Sequence, residues 1–299
     1  MRINGVEIVD TFAEAFPMHG ARVRITAVND RWTRQAALAA TGFATSVIGC
    51  GIEAGIEGPS PETPDGRPGL DCLFFGMSRD ALEKQLLKRV GQAIMTAPTS
   101  ACFDGGLPEC RDQEPATLPI GGKIRYFGDG FQSSKVIDGR RYWRIPVMEG
   151  EFVIDESFAT AKGVGGGNFM ILAQSAETAL AAAEAAVTAI GAVRGVILPF
   201  PGGIVRSGSQ VGSRYAFLPA STNIAFCPTL RGRVPGTVLP RGVNVVLEIV
   251  IDGVTPETVA EATRLGVLAA CRDGVVQITA GNYGGKLGKH HFHLCRLLG

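Results

Sequence analysis

Arg241-Gly-Val-Asn-Val-Val-Leu-Glu-Ile-Val-Ile-Asp-Gly253 reads as a strand with one acid in an otherwise apolar middle. Side chains alternate faces along a strand, so Val243, Val245, Leu247, Ile249 and Ile251 point one way and Asn244, Val246, Glu248 and Val250 the other. Glu248 therefore sits between two valines. A carboxyl group in that setting loses hydration when charged, which raises its pKa and keeps it a proton donor near neutral pH. The same spacing also fits a half-exposed strand on which Glu248 pairs with a neighbouring arginine, and the strand alone does not choose between the two. Downstream, Thr255 and Pro256 start a helix running to Cys271, and Val275–Thr279 returns as a strand. Upstream, Asn168–Ala173 is a strand. Ser175 then caps a helix carrying Leu180, Ala183, Val187 and Ile190 on one face, Gly191 ends it, and Val196–Leu198 follows as a strand.

The first half repeats this plan without repeating its residues. Ala21–Ala27 alternates as a strand, Asp30 precedes a helix from Arg31 to Thr41 that stops at Gly42, and Thr45–Ile48 is a second strand. Leu70–Phe75, a Ser78-capped helix with Leu82, Leu86, Leu87 and Val90 on one side, and a strand near Ile94–Ala97 complete it. Phe103–Gly122 is a loop, and short β segments at Lys123–Tyr126, Arg141–Val147 and Glu151–Ile154 read as hairpins. The expectation is an α+β fold: two ferredoxin-like β-α-β-β-α-β lobes in tandem, linked by β hairpins, over residues 1–146 and 147–299.

In a chain of 299 residues, 45% hydrophobic and 19% charged residues leave apolar surface for a subunit interface, so an oligomer is expected. A net charge of +1 with no Lys/Arg block gives no footprint for nucleic acid. Acids near the start and the lack of a long apolar run predict a soluble, cytoplasmic chain without a membrane segment. Seven scattered cysteines with no C-x-x-C fit reduced thiols.

Gly163-Val-Gly-Gly-Gly-Asn168 lacks the last glycine of a dinucleotide motif and precedes a strand instead of opening a helix. Gly-Gly-Lys-Leu around Lys286 lacks the Ser/Thr of a phosphate loop and reads as a turn. His291 and His293 share a face if they lie on a strand, but no third metal ligand follows, which favours a structural or surface role. Pro199–Ser213 offers exposed amides, three serines and Arg206, suited to a carboxylate, an amide or a pterin-like ring, or equally to an ordinary interface loop. Phe217–Asn223 continues that polar edge. No Gly-x-Ser-x-Gly elbow supports a serine hydrolase.

Residues 1–16, Ala40-Thr-Gly-Phe43, Glu62-Thr-Pro-Asp-Gly-Arg-Pro-Gly69, Phe127-Gly-Asp-Gly130, Pro199-Phe-Pro-Gly-Gly-Ile-Val205, Phe217-Leu-Pro-Ala-Ser-Thr-Asn223 and Ala280-Gly-Asn-Tyr-Gly-Gly-Lys-Leu-Gly288 together resemble the formylmethanofuran:tetrahydromethanopterin formyltransferases. The resemblance runs end to end. It implies two ferredoxin-like lobes, N-terminal proximal and C-terminal distal, in a homotetramer with no metal or permanent cofactor. It also implies tetrahydromethanopterin and methanofuran, or an analogue, as carrier substrates in a ternary complex. The family glutamate of Glu-Ile-Val-Ile-x-Gly falls on Glu248, implying a catalytic role. Substrate contacts are expected at Arg206, Ser207, Ser209, Gln210, Ser213, Ser221 and Asn223, and at Tyr283 and Lys286 of the glycine turn. Near-neutral charge looks like the bacterial methylotroph branch, whose formyltransferase works beside other subunits of a formyltransferase/hydrolase complex. A non-catalytic carrier-binding or scaffold subunit is the alternative.

Overall fold

A computed structural model describes residues 1–299. The first half contains β1 (Arg2–Ile3), β2 (Val6–Ile8), β3 (Phe12–Thr26), α1 (Asp30–Thr41), α2 (Val47–Cys50), β4 (Glu53–Pro59), β5 (Gly69–Gly76) and α3 (Arg79–Arg89). It continues with β6 (Ala101–Asp104), β7 (Ala116–Leu118), α4 (Ile120–Ile124), β8 (Ser133–Ile137), β9 (Arg140–Val147) and β10 (Gly150–Asp155). The second half holds β11 (Phe158–Ala173), α5 (Ala176–Ile190), β12 (Val196–Ile197), β13 (Ser209–Val211) and β14 (Ala220–Thr222). It ends with β15 (Val245–Gly253), α6 (Pro256–Ala270), β16 (Val275–Thr279), β17 (His290–His293) and α7 (Leu294–Leu297).

Fifteen strands join in one mostly antiparallel sheet of a mixed α+β fold. In the first half β3, β4, β5 and β6 lie in the order β4-β5-β3-β6, all antiparallel neighbours, and in the second β11, β12, β15 and β16 lie in the matching order β12-β15-β11-β16. Helix starts follow their caps: Ser78 accepts from the Ala81 N–H, Ser175 from the Thr178 N–H, and Thr255 forms a capping box with Thr258 behind Pro256.

The long strands β3 and β11 pair antiparallel at their centres, Gly20 opposite Ala161 and Phe16 opposite Gly165, and each runs from one half of the molecule into the other. As a result Val6, Ile8, Ala13 and Ala15 are buried with Phe169, Ile249 and Ile251, while Phe152, Ile154 and Phe158 are buried with Val23, Ile25 and Phe74. The two cores exchange chain ends across the division expected at 146/147. Gly163–Asn168 is the middle of β11, with a bulge between Val164 and Gly167 and Gly166 at φ +79°, so its glycines serve a strand kink. A side chain at Gly165 would run into the Met18 sulfur.

Several expected elements differ. Ile94–Ala97 is not a strand: Leu82, Leu86, Val90 and Ile94 recur every four residues, all are buried, and α3 runs on into a π-helical turn over Val90–Ile94. Thr45–Ile48 is not a strand, since Ser46 caps α2, and the strand begins at Glu53. Lys123–Tyr126 is helical. The buried face of α5 is Ala179, Ala182, Ala183, Ala186 and Ile190, and Leu180 is exposed, because small residues let α5 pack against the sheet and α6. All seven cysteines are free thiols.

Three arginines and three acids bind the seam between the halves. The buried Arg22 grips Glu57 through 2.7 and 2.8 Å bonds and Glu109 through 2.7 and 3.1 Å bonds. Arg24 and Arg194, from opposite halves, both reach the fully buried Asp71.

Candidate active site

Strand β15 presents Glu248 opposite Met170 of β11, and on its free edge Val205 pairs with the Glu248 backbone through bonds of 2.8 and 3.0 Å. Those two contacts fix the direction of the side chain. Ile249 and Ile251, on the other face, are fully buried in the helix-covered core, as the alternation requires. Glu248 faces a cleft of about 830 Å³ lined by Asn168, Met170, Ser209, Gln210, Asn223, Phe226, Thr279, Asn282 and Tyr283, among others. A smaller hollow of about 90 Å³ on its other side is lined by Arg206, Ser207, Gly208 and Asn223.

The arginine pairing that the strand alone left open does not occur: no cation lies within salt-bridge distance of Glu248. Loss of hydration is the sole influence on its carboxyl group and pushes the pKa up to about 7. Gly208 leaves room beside it, since a Cβ there would stand 3.9 Å from Oε2. Burial, and then the nearby Glu248 and Glu14 charges, raise the Tyr283 phenol. The cleft thus combines a carboxylic acid that still holds its proton in a large share of molecules near pH 7 with amide and hydroxyl groups able to orient a polar substrate.

Of the residues expected to contact substrate, Ser209, Gln210, Asn223 and Tyr283 line the main cleft and Arg206 and Ser207 the adjoining hollow. Ser221 lies one layer back, on β14, where its hydroxyl meets the Gln210 amide at 3.4 Å. Ser213 is turned into its own loop, accepting from the Tyr215 N–H at 3.0 Å, and the Lys286 side chain is exposed outside the cleft. Asn168, Met170, Thr279 and Asn282 were not anticipated. Asn168 and Met170 stand across β11 from Val250 and Glu248, a register that no single strand discloses. Asn168 accepts from the Gly281 N–H at 2.6 Å, tying β11 to the glycine turn.

His291 and His293 do share a side, but both pack on the Phe12 ring, with centroids 4.8 and 5.1 Å away. No group of three or more His, Cys, Asp or Glu side chains is arranged to hold a metal ion. No helix is long and apolar enough to cross a membrane.

The family model described as formylmethanofuran-tetrahydromethanopterin formyltransferase matches residues 1–147, and the one described as FTR, proximal lobe, matches residues 150–297. The chain belongs to the formylmethanofuran-tetrahydromethanopterin formyltransferase family. Within the family it is 55% identical to the enzyme of that name from Methylococcus capsulatus over the full length of both chains. It is 53% identical to the enzyme of that name from Methanopyrus kandleri, covering 98% of this chain and 99% of the relative. A crystal structure of the formyltransferase/hydrolase complex (FhcABCD) from Methylorubrum extorquens with methylofuran contains a similar chain, with a TM-score of 0.94 and 50% identity, covering 100% of this chain and 99% of the other. The model matching the C-terminal half is described as the proximal lobe, a label the sequence expectation put on the N-terminal half.

Proposed function

We propose that this family member transfers a formyl group between N5 of tetrahydromethanopterin and the amine of methanofuran or an analogue, in a ternary complex, with Glu248 as the catalytic acid. One observation carries the reading: Glu248 is an unpaired carboxyl group with a pKa near 7, set in the polar cleft of a chain matched end to end by this family. In the direction of formate formation, the carrier amine attacks the formyl carbon of N5-formyl-tetrahydromethanopterin. The carbon becomes tetrahedral and its oxygen anionic, and neutral Glu248 stabilises that oxygen through its O–H. The new C–N bond is kept, the bond from carbon to N5 breaks, and the proton lost by the amine reaches N5 by way of the Glu248 carboxyl group. Arg206, Ser207, Ser209, Gln210, Asn223 and Tyr283 orient the carriers, with Ser221 supporting Gln210, while Ser213 and Lys286 line neither hollow and act from the rim of the site.

The matching strand orders β4-β5-β3-β6 and β12-β15-β11-β16 support reading each half as a ferredoxin-like lobe, divided near residues 146 and 147. Exposed Phe43, Phe131, Phe217 and Met148 support burial against other chains, as a homotetramer and beside hydrolase subunits of a formyltransferase/hydrolase complex in the cytoplasm. Identities of 55% to a bacterial and 53% to an archaeal relative are too close to select a branch, so the direction towards formate rests on composition.

The test is a formyl-transfer assay with both carriers on the purified chain. The wild type transfers formyl in chelator as well as without it, and Glu248→Gln loses about 10²- to 10⁴-fold in kcat. Undiminished turnover by a folded Glu248→Gln chain defeats the acid role, and binding of both carriers without transfer by the wild type leaves a scaffold subunit instead.

A further inference from the structure

The glycine turn that brings Tyr283 to the cleft is held by a buried acid that formyl transfer does not use. Glu14 lies on β3, 269 residues before Tyr283, and is 1% exposed. It has no cationic partner. Instead its Oε2 accepts from the N–H groups of Tyr283 at 2.6 Å and Gly285 at 2.9 Å, and its Oε1 from those of Leu287 at 2.6 Å and Gly288 at 2.5 Å. Burial alone would raise its pKa, but the four donors outweigh it and hold the carboxyl group down at about 2. Glu14 is therefore charged whenever the protein works. Gly288 makes the fourth bond possible, because a Cβ there would lie 2.4 Å from the Ala15 carbonyl oxygen and 2.8 Å from Glu14 Cγ.

We propose that Glu14 is a positioning residue for formyl transfer: its carboxylate collects four backbone N–H groups of the 283–288 turn and so fixes Tyr283 against the cleft of Glu248. The proposal rests on the formyl-transfer reading of that cleft. Gly284 and Gly285 both take positive φ and give the turn glycine's wide backbone freedom. The other polar ties within residues 283–288 are the Gly284 N–H to Asn282 Oδ1 at 3.1 Å and the Gly288 carbonyl with His291 Nε2 at 3.2 Å. Charge-assisted bonds in a dry site are among the stronger polar contacts, and four of them remove that freedom. A carboxylate is required, because an amide of the same shape has one acceptor oxygen and would point its NH₂ group at two of the donors.

The experiment compares Glu14→Gln, Gly288→Ala, Tyr283→Phe and the Glu14→Gln/Tyr283→Phe double variant in the full chain. The readouts are hydrogen exchange at the amides of residues 283–288, titration of the Tyr283 phenol by difference against Tyr283→Phe, and transfer kinetics with both carriers. Glu14→Gln and Gly288→Ala are expected to lower exchange protection in the turn at least tenfold, and Gly288→Ala, which keeps the Glu14 charge, to bring the Tyr283 phenol down towards its ordinary value. Both are expected to lower kcat about 10- to 100-fold, as small misplacements in a site do. Tyr283→Phe is expected to cost nothing further in the Glu14→Gln background. Unchanged protection, kinetics that ignore a loosened turn, or independent multiplication of the Glu14 and Tyr283 effects overturns the proposal. If Glu14→Gln does not fold, Gly288→Ala carries the same comparison with the acid intact. A wild type that transfers no formyl defeats the functional reading instead, while exchange and phenol titration still report on the clamp.

Discussion

Glu248 and Glu14 are two acids withdrawn from water whose pKa values part in opposite directions because one meets four N–H donors and the other none. Two predictions belong to Glu248. If its proton serves the reaction, kcat/KM falls as pH rises through about 7, and that limb is absent from the residual activity of Glu248→Gln. A limb retained in the variant assigns the titration to another group. The same shift sets stability: the unfolded chain releases this proton near 4.5 and the folded chain near 7, so the folded state loses stability as pH rises across that interval. Glu248→Gln is therefore expected to be more stable than wild type at pH 8, by up to about 3 kcal/mol, with the two converging below pH 4.5. Urea unfolding at both pH values measures it, and a variant less stable at pH 8 contradicts it.

At the scale of elements, the two crossing strands β3 and β11 determine how the site is built. β3 carries Glu14 near one end and Arg22 near the other, so one strand holds both the turn of the cleft and the charged seam. Arg22→Leu keeps the strand's apolar packing but leaves Glu57, which has no exposed side-chain surface, without its main cation. Removing one member of a buried pair costs about 3–5 kcal/mol. A lowered urea midpoint is expected in Arg22→Leu, whereas Arg264→Ala, which breaks an exposed pair with Glu261 within α6, leaves it unchanged. Equal midpoints for the two variants refute the claim that the seam is structurally essential.

Across the whole molecule, β4 of one half meets β15 of the other through a pair of buried acids. Asp252 is fully buried, and burial and then the facing Glu53 push its carboxyl group well up. Burial also raises Glu53, and Asp252 Oδ2 is buried without a hydrogen-bond partner. A proton retained on the pair keeps it from carrying two charges. Losing it leaves two negative charges facing each other, so stability present at low pH is lost as pH rises through their raised range. Asp252→Asn supplies a permanent N–H to Glu53 while its remaining oxygen still accepts from Gly166. It is expected to raise the melting temperature at pH 8 and leave it unchanged near pH 3.5. An equal shift at both pH values points to packing, not protonation.

Local signals gave a large share of this protein. Caps at Ser78, Ser175 and Thr255 and the alternation along β15 are decided within a few residues, so they were legible, as was an acid among valines at Glu248. The strand expected at Ile94–Ala97 does not form because the four-residue spacing of Leu82, Leu86 and Val90 extends to Ile94 and keeps the chain helical. The end-to-end resemblance added the chemistry that no local pattern holds. Tertiary structure alone decided which groups meet. Glu14 reaches its donors across some 270 residues, Asn168 faces the cleft through its register with β15, and chain ends are exchanged between cores. Such contacts depend on how strands pair, and sequence patterns fix the face a side chain takes without fixing its neighbour across the sheet.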